Sequence, residues 1–521
     1  MLLIRLRRLI LGCLLTFVIS CGGDVNKDLV EAVELGDAAT VRDLIADGAD
    51  ANLGVKGNRS ILMAAAEKGD TEVVKELLTA GADPKAKDAV GVNALMLASE
   101  NGHTETVRTL LAGGAEIGYQ DERGGSALIL AAGNGHIATM ELLLDKAAEL
   151  KAQDKGGRTA LMEAAEKGQL GTVRALLARG ASVEAKDSTG RTALIRAAGG
   201  GHTETVQTLL GSGSAVGDRS EYGWTALMVA SGEGHTETIK LLLEQGAEVN
   251  AKDNEGRTPL LWAAGRGQTA AIEALMGRGA KLDLKDRDSR TALFLAAMRG
   301  HTDTVQALMV LGKKRWPLSS RYWLDGADKV GRTPLMASAE NGHHETMKLL
   351  LDTGARLEAK TNKGWTALFL AVKEGHVEPA KTLIAKGSRI NAKARDGLTS
   401  LMMAITEKQV PSVEVLLEAG AQVNVKYERN WTALMHAASN GQVEITKLLL
   451  AHGADADEKI GDGWNALLLA VVEGHEDCVK TLLTAGAKTD VSTQDGRTAL
   501  KLALDQGHND VALILKGAGA Q

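Results

Sequence analysis

The stretch Arg158-Thr159-Ala160-Leu161-Met162 decides the fold, because its threonine returns at Thr192, Thr225, Thr258 and Thr291, each 33 residues after the last. Ser60, Asn93 and Ser126 hold the same phase upstream. One step of 42 leads from Thr291 to Thr333, and the step of 33 then resumes through Thr366, Thr399, Thr432, Asn465 and Thr498. With a degenerate first unit phased on Lys27, the chain holds fifteen units. A period of this size marks a stacked array, in which no unit can bury its apolar face alone and each must lie on its neighbours.

The 33 residues from Asp154 to Lys186 show how a unit is built. Asp154-Lys155-Gly156-Gly157 is a turn string, Thr159 opens a helix that ends at Gly168, and Gln169 to Ala178 carries Val173, Leu176 and Leu177 at helical spacing. Gly180-Ala181 closes the second helix, since glycine accepts the left-handed conformation needed just past a helix end. Ser182 to Lys186 then runs extended into the next turn. Abundant glycine (60), few prolines (6) and 3% aromatics suit short helices that alternate with glycine-terminated turns.

This plan resembles the ankyrin repeat, and specific residues carry the resemblance. Thr258-Pro259-Leu260 and Thr333-Pro334-Leu335 match the family's helix-opening signature, Gly-His recurs at the turn between helices, and Asn250-Ala251-Lys252-Asp253 is close to the family's linker. Asp88, Asp121, Asp154, Asp187, Asp253, Asp286 and Asp328 stand five before the phase residue, as the family's turn aspartate does. One departure is systematic: where the family has His after Thr-Pro-Leu, this chain has Met63, Met96, Met162, Met228, Met336, Met402, Met435 or another apolar residue, which still packs. The resemblance implies an all-α solenoid of helix-turn-helix units with short β-hairpin turns, a single elongated array over residues 25–521, and a role in binding another protein.

The start of the chain is a different kind of sequence. Met1 to Arg8 carries three arginines and Leu9 to Ile19 is an apolar stretch shorter than a spanning helix, the pattern of a secretory leader. Val18-Ile19-Ser20-Cys21 resembles the bacterial lipobox, which implies a signal peptide over 1–20, acylation of Cys21 and a short tether over 21–24. Two or three acyl chains hold a protein firmly on a membrane, whereas one is marginal. Gly22 after the cysteine favours the outer membrane over retention at the inner one, so the expected location is the cell envelope, lipid-anchored on the periplasmic face or outer membrane. Loss of Arg5, Arg7 and Arg8 with the leader takes the formal charge from −6 to −9, a sign that argues against nucleic acid and anionic surfaces. With Cys13 in the leader and Cys21 acylated, only Cys478 remains, so no intrachain disulfide framework can form.

Most residues with chemical potential dissolve into the repeat. Nine of the twelve histidines occupy the same turn, and stacked helices about 8–10 Å apart do not bring their rings to a shared zinc, which needs nitrogens at about 2.1 Å. His475 and Cys478 lack a second pair of ligands. Gly211 to Gly217 has no Lys-Ser/Thr of a phosphate loop. The expectations are therefore no catalytic residues, no metal and no cofactor.

What varies between units carries the functional reading. The residue before the phase position, at the hairpin tip, is Arg59, Arg158, Arg191, Arg257, Arg290, Arg332 or Arg497, or else Trp224, Trp365, Trp431 or Trp464, with Val92, Gly125 and Leu398 as exceptions. Arg and Trp are the side chains most enriched at binding hot spots. An insertion at about 313–327 adds nine residues, among them Trp316, Arg321, Tyr322 and Trp323. The expected partner surface is the tip column, with Arg257, Arg290 and Arg332 offered to carboxylates, Trp224, Trp365, Trp431 and Trp464 as apolar anchors, and the insertion closing over the bound segment. The alternative for the tips is that each packs on a neighbouring hairpin as scaffold. Expected is a monomeric, non-enzymatic protein-binding scaffold; the rivals are a polyanion or cell-wall binder and a hydrolase or transferase with an unrecognised site.

Overall fold

A computed structural model describes residues 24–55, 57–315, 323–427 and 430–520. Each of the fifteen units is a pair of helices joined by a tight turn. In the unit phased on Thr159, the helices are Ala160–Glu166 and Leu170–Ala178. Thr159 is the N-cap of the first, its hydroxyl accepting from the Met162 N–H at 3.3 Å. Such a cap is worth about 1 kcal/mol, and repetition of the cap sets the helix starts throughout the array. The first unit departs from the pattern: Asp24 caps an 11-residue helix, Val25–Leu35, that opens before the phase residue Lys27.

The described residues gather into two compact units, the first running to Asn254 and including Gly277–Gly279, the second holding Glu255–Met276 and continuing from Ala280. Inside the first, Ala160–Glu166 lies between Ala127–Gly133 and Ala193–Gly199; inside the second, Ala367–Lys373 lies between Pro334–Glu340 and Ser400–Thr406. Second helices likewise pack on the second helices of neighbouring repeats. The core is the apolar stripe of each pair, such as Leu161, Met162, Ala165, Val173 and Leu176, all buried, and a large aliphatic side chain buried in this way contributes about 1.5–3 kcal/mol. The methionines that replace the family's histidine are buried too, Met402 being the most accessible at 3%. Three of them do more than pack. The sulfurs of Met63, Met336 and Met435 accept from the cap residue's own N–H at 3.4–3.5 Å.

The Gly-His turn is a ladder between repeats. The His103 ring lies over Gly69, and its Nε2 meets the Glu67 carbonyl at 3.0 Å; His136, His202, His376 and His508 make the same bond to Glu100, Glu166, Glu340 and Val472. Gly69 has φ +78°, and a Cβ there would come within 2.5 Å of the ring, so glycine is required twice over, by conformation and by space. Gln442 substitutes for histidine by donating its amide to the Ile405 carbonyl at 3.0 Å.

The hairpins between pairs are short. Gly54–Val55 pairs antiparallel with Arg59–Ser60 in the register Gly54↔Ser60, and elsewhere a finger is closed by a bridge such as Lys87↔Asn93 or Ser492↔Thr498. The insertion is not loop from its first residue. The helix Thr302–Arg315 runs 14 residues where its counterparts run nine, so Lys313 and Lys314 extend it. In most other units the glycine at this point turns left-handed and is followed by a buried or half-buried alanine or serine, as at Gly81-Ala82. Gly312 is followed by Lys313, which cannot supply the buried contact that completes such a stop. Among the described residues no helix is long and apolar enough to cross a membrane.

Candidate functional site

Most fingers begin with a residue whose side chain closes the turn, and the tip residue stands four later. Asp286 Oδ1 accepts from the N–H groups of Asp288 and Arg290 at 2.9 and 2.8 Å, while its Oδ2 takes the Arg290 Nε at 2.8 Å. Asp328 and Arg332 repeat the arrangement, and the Arg332 guanidinium also reaches Glu340 at 2.7 Å. Asp154 and Arg158 do the same, with Glu163 at 2.8 Å. The expectation that Arg290 and Arg332 stand open to a partner's carboxylates is thus corrected: their forks already hold carboxylates of this chain. Arg257 lies over the ring of Trp262 at 4.8 Å.

Asp187 shows how the rule bends. Its second oxygen is taken by the Arg196 guanidinium, which also pairs with Glu166, and Arg191 instead lies over the Trp224 ring at 4.8 Å. Burial pushes the Asp187 carboxyl up, but bonds from the Arg191 N–H, the Thr189 hydroxyl and Arg196 outweigh it and hold the group below the usual carboxylate range.

Five fingers that open without aspartate have apolar tips, whereas those opening with Val55 and Thr493 end in Arg59 and Arg497, whose guanidinium groups are held by Glu67 and Asp495 instead. Ser220 and Thr361 close their turns by accepting from the Trp224 and Trp365 N–H, each at 3.1 Å. A hydroxyl that accepts the tip's N–H has no second anionic oxygen for a guanidinium. The fingers ending in Leu398, Trp431 and Trp464 open with Ala394, Tyr427 and Ile460. Trp365 stacks on Phe369 at 5.2 Å between ring centres and 16° between planes, with the Lys363 ammonium 4.8 Å from its ring. Leu398 and Trp365 pack on a cluster of Phe369, Ala394 and Met403. Trp224, Trp365, Trp431 and Trp464 are all half-buried.

Of the insertion residues, Trp316, Arg321 and Tyr322 lie outside the described residues, as does Cys21. Trp323 is described and lies flat on the backbone of Gly312, where a Cβ would fall 2.8 Å from its ring. Its place in this structure is the scaffold.

The remaining chemistry is committed locally. His475 Nε2 meets the Ser439 carbonyl at 3.1 Å while the Cys478 sulfur faces the Thr446 hydroxyl at 3.8 Å, so the two do not converge on one point. Burial pushes the Cys478 thiol up, away from the reactive thiolate. His436, half-buried beside Tyr427 at 6.2 Å, is pushed down by burial. On the second helices, pairs three apart such as Glu105–Arg108, Glu237–Lys240 and Glu444–Lys447 neutralise one another in solvent.

What the residue-by-residue reading missed is the link between the two ends of a finger. Both columns are visible in the sequence, yet only reading the opening residue against the tip separates Arg158, Arg290 and Arg332, held by the aspartate four before them, from Trp224 and Trp365, whose fingers open with a hydroxyl. Phe369, Met403 and Lys363, which surround the Trp365 ring, carried no sequence signal of their own.

No curated protein matches the chain at a level that shows a relationship. The family model for ankyrin repeats (3 copies) matches residues 29–121, 95–187, 181–253, 245–315, 320–394, 379–460, 401–495 and 455–521. Those matches span nearly all of the sequence, and the capped helix pairs, the turn aspartates and the Gly-His ladder are the physical content of the match. The chain belongs to the ankyrin repeat family.

Proposed function

We propose that this chain is a non-enzymatic scaffold that binds a protein partner through its hairpin tips and the adjoining first-helix face, and that acylated Cys21 holds it on a membrane of the cell envelope. Ankyrin repeats in general are protein-binding modules. The observation that carries the reading is the division of labour within each finger: a constant frame of caps, turn acceptors and histidine bonds, with a tip that changes from unit to unit. The turn histidines and most aspartates are consumed by that frame, which leaves the apolar tips as the variable, partly exposed groups. Trp and its neighbours supply large contact area at small entropic loss, as binding hot spots do. Arg257, Arg290 and Arg332 serve the partner indirectly, by fixing the fingers.

Two measurements test the proposal. Cys21→Ser should abolish acyl-chain labelling and release the chain from membranes; unchanged labelling would end the anchoring claim. A partner recovered from envelope extracts with the parent chain should be lost, at about 2 kcal/mol or more per true hot spot, when Trp365 and Trp431 are both changed to alanine in a variant that keeps its helical circular dichroism.

A further inference from the structure

We infer that the two adjacent fingers at 360–365 and 393–398 form a docking site for an acidic protein segment that carries apolar anchor side chains. The inference rests on the protein-binding reading above and names the chemistry of the partner at one place.

Three observations lead there. The fingers tipped by Arg290 and Arg332 have their charge met within the chain, because Asp286 and Asp328 already hold the two guanidinium groups. The next two fingers, tipped by Trp365 and Leu398, lack the aspartate and lay their half-buried tips on Phe369, Ala394 and Met403. The indole N–H of Trp365 is buried without an acceptor, and an unmade bond of that kind costs about 1–3 kcal/mol. A segment that turns the half-buried ring outward as it docks would give that N–H a carbonyl or carboxylate oxygen.

Charge identifies the occupant. Within 360–365 and 393–398 stand Lys360, Lys363, Lys393 and Arg395 against Asp396 alone, so the fingers carry a net +3 on a chain whose formal charge is −6. All four basic residues are exposed. Lys363 sits over the Trp365 ring and Lys360 binds the Lys393 carbonyl at 3.2 Å; neither holds a carboxylate of this chain in those contacts. An apolar strip fringed by exposed cations fits a segment in which acidic residues flank aromatic or aliphatic ones, and disfavours a basic one.

The test is a random twelve-residue peptide library displayed on phage and panned on the full chain. Enriched peptides should combine Asp or Glu with at least two aromatic or aliphatic residues. Made synthetically, they should bind at least about tenfold more weakly to Trp365→Ala, and as weakly to the double reversal Lys363→Glu with Arg395→Glu. Trp365→Phe keeps the stacking on Phe369 and loses the N–H, so an intermediate loss reads the missing bond apart from any folding defect. The control is Lys348→Glu with Lys381→Glu, the same change of charge on the second helices, which should leave affinity within about twofold at moderate salt, where exposed charges beyond about 10 Å are screened. Peptides that bind the parent but lose nothing in the finger variants, or lose as much in the control, overturn this site while leaving the broader protein-binding reading standing. Enrichment of basic peptides, or of none above the bare surface, also overturns it, and the broader reading then stands or falls on the partner recovered from extracts.

Discussion

At the residue scale, the array shows its rules most clearly where it breaks them. Lys408 takes the place of the glycine between helices and keeps its conformation, with φ 57°. A side chain in that region costs roughly 1–2 kcal/mol, part of which glycine returns as backbone entropy. Lys408→Gly should therefore raise stability by about 0.5–1 kcal/mol, read as a shift in the urea midpoint at unchanged slope; a lowered midpoint would show that the lysine makes a contact worth more than its strain. His436 gives a pH dependence of definite sign. Its folded value lies below the ordinary one because burial disfavours the cation, so the unfolded chain takes up the proton first and stability falls as pH drops through about 6.5. Between pH 7.5 and 5.5 the parent should lose more thermal stability than His436→Gln, and equal losses would contradict the assignment.

At the scale of the element, each helix end is set by a pair of residues rather than by one. Gly81 ends its helix with Ala82 buried behind it, whereas Gly312 is followed by Lys313 and the helix runs on to Arg315. Glycine inside a helix ordinarily costs about 1 kcal/mol relative to alanine. Here the Trp323 ring lies where the added methyl would go, with ring atoms 2.8 Å from it. Gly312→Ala should thus destabilise the protein rather than stabilise it, and Gly312→Ala combined with Trp323→Ala should recover part of that loss, as a double-mutant cycle in chemical denaturation would read. A stabilised single variant would mean that the ring does not rest on this helix.

At the scale of the whole molecule, stability is a sum of repeat and nearest-neighbour contributions, so opening begins where both are poorest. The repeat phased on Thr399 collects several deficits: Lys408 is strained, and the buried Ser412 hydroxyl has no partner. In the register that joins Thr104 to Thr139 at 2.8 Å, Ser412 faces Val377, which has no hydroxyl to offer. Amides of Ser400–Thr406 and Val410–Glu418 should exchange faster than those of Ala193–Gly199 and Thr203–Gly211. Equal protection in the two pairs would remove the case for a weak repeat there.

The sequence by itself determined the architecture, since a period of 33, a cap at every phase residue after Lys27 and a glycine at almost every turn are local properties that repetition makes unmistakable. It placed the boundaries of Ala160–Glu166 and Leu170–Ala178 to within two residues, and it identified the histidine column as scaffold because nine residues in one phase cannot all be special. Only the tertiary structure decided the fate of the tips. Whether Arg290 is free or held depends on Asp286 four residues away being buried and turned toward it, and whether Trp365 stands out or lies down depends on Phe369 and on Met403 in the next repeat. Local propensity is written into each 33-residue unit, but the energy of a tip comes from partners brought beside it by the turn and by stacking, and their geometry does not exist until the chain has folded.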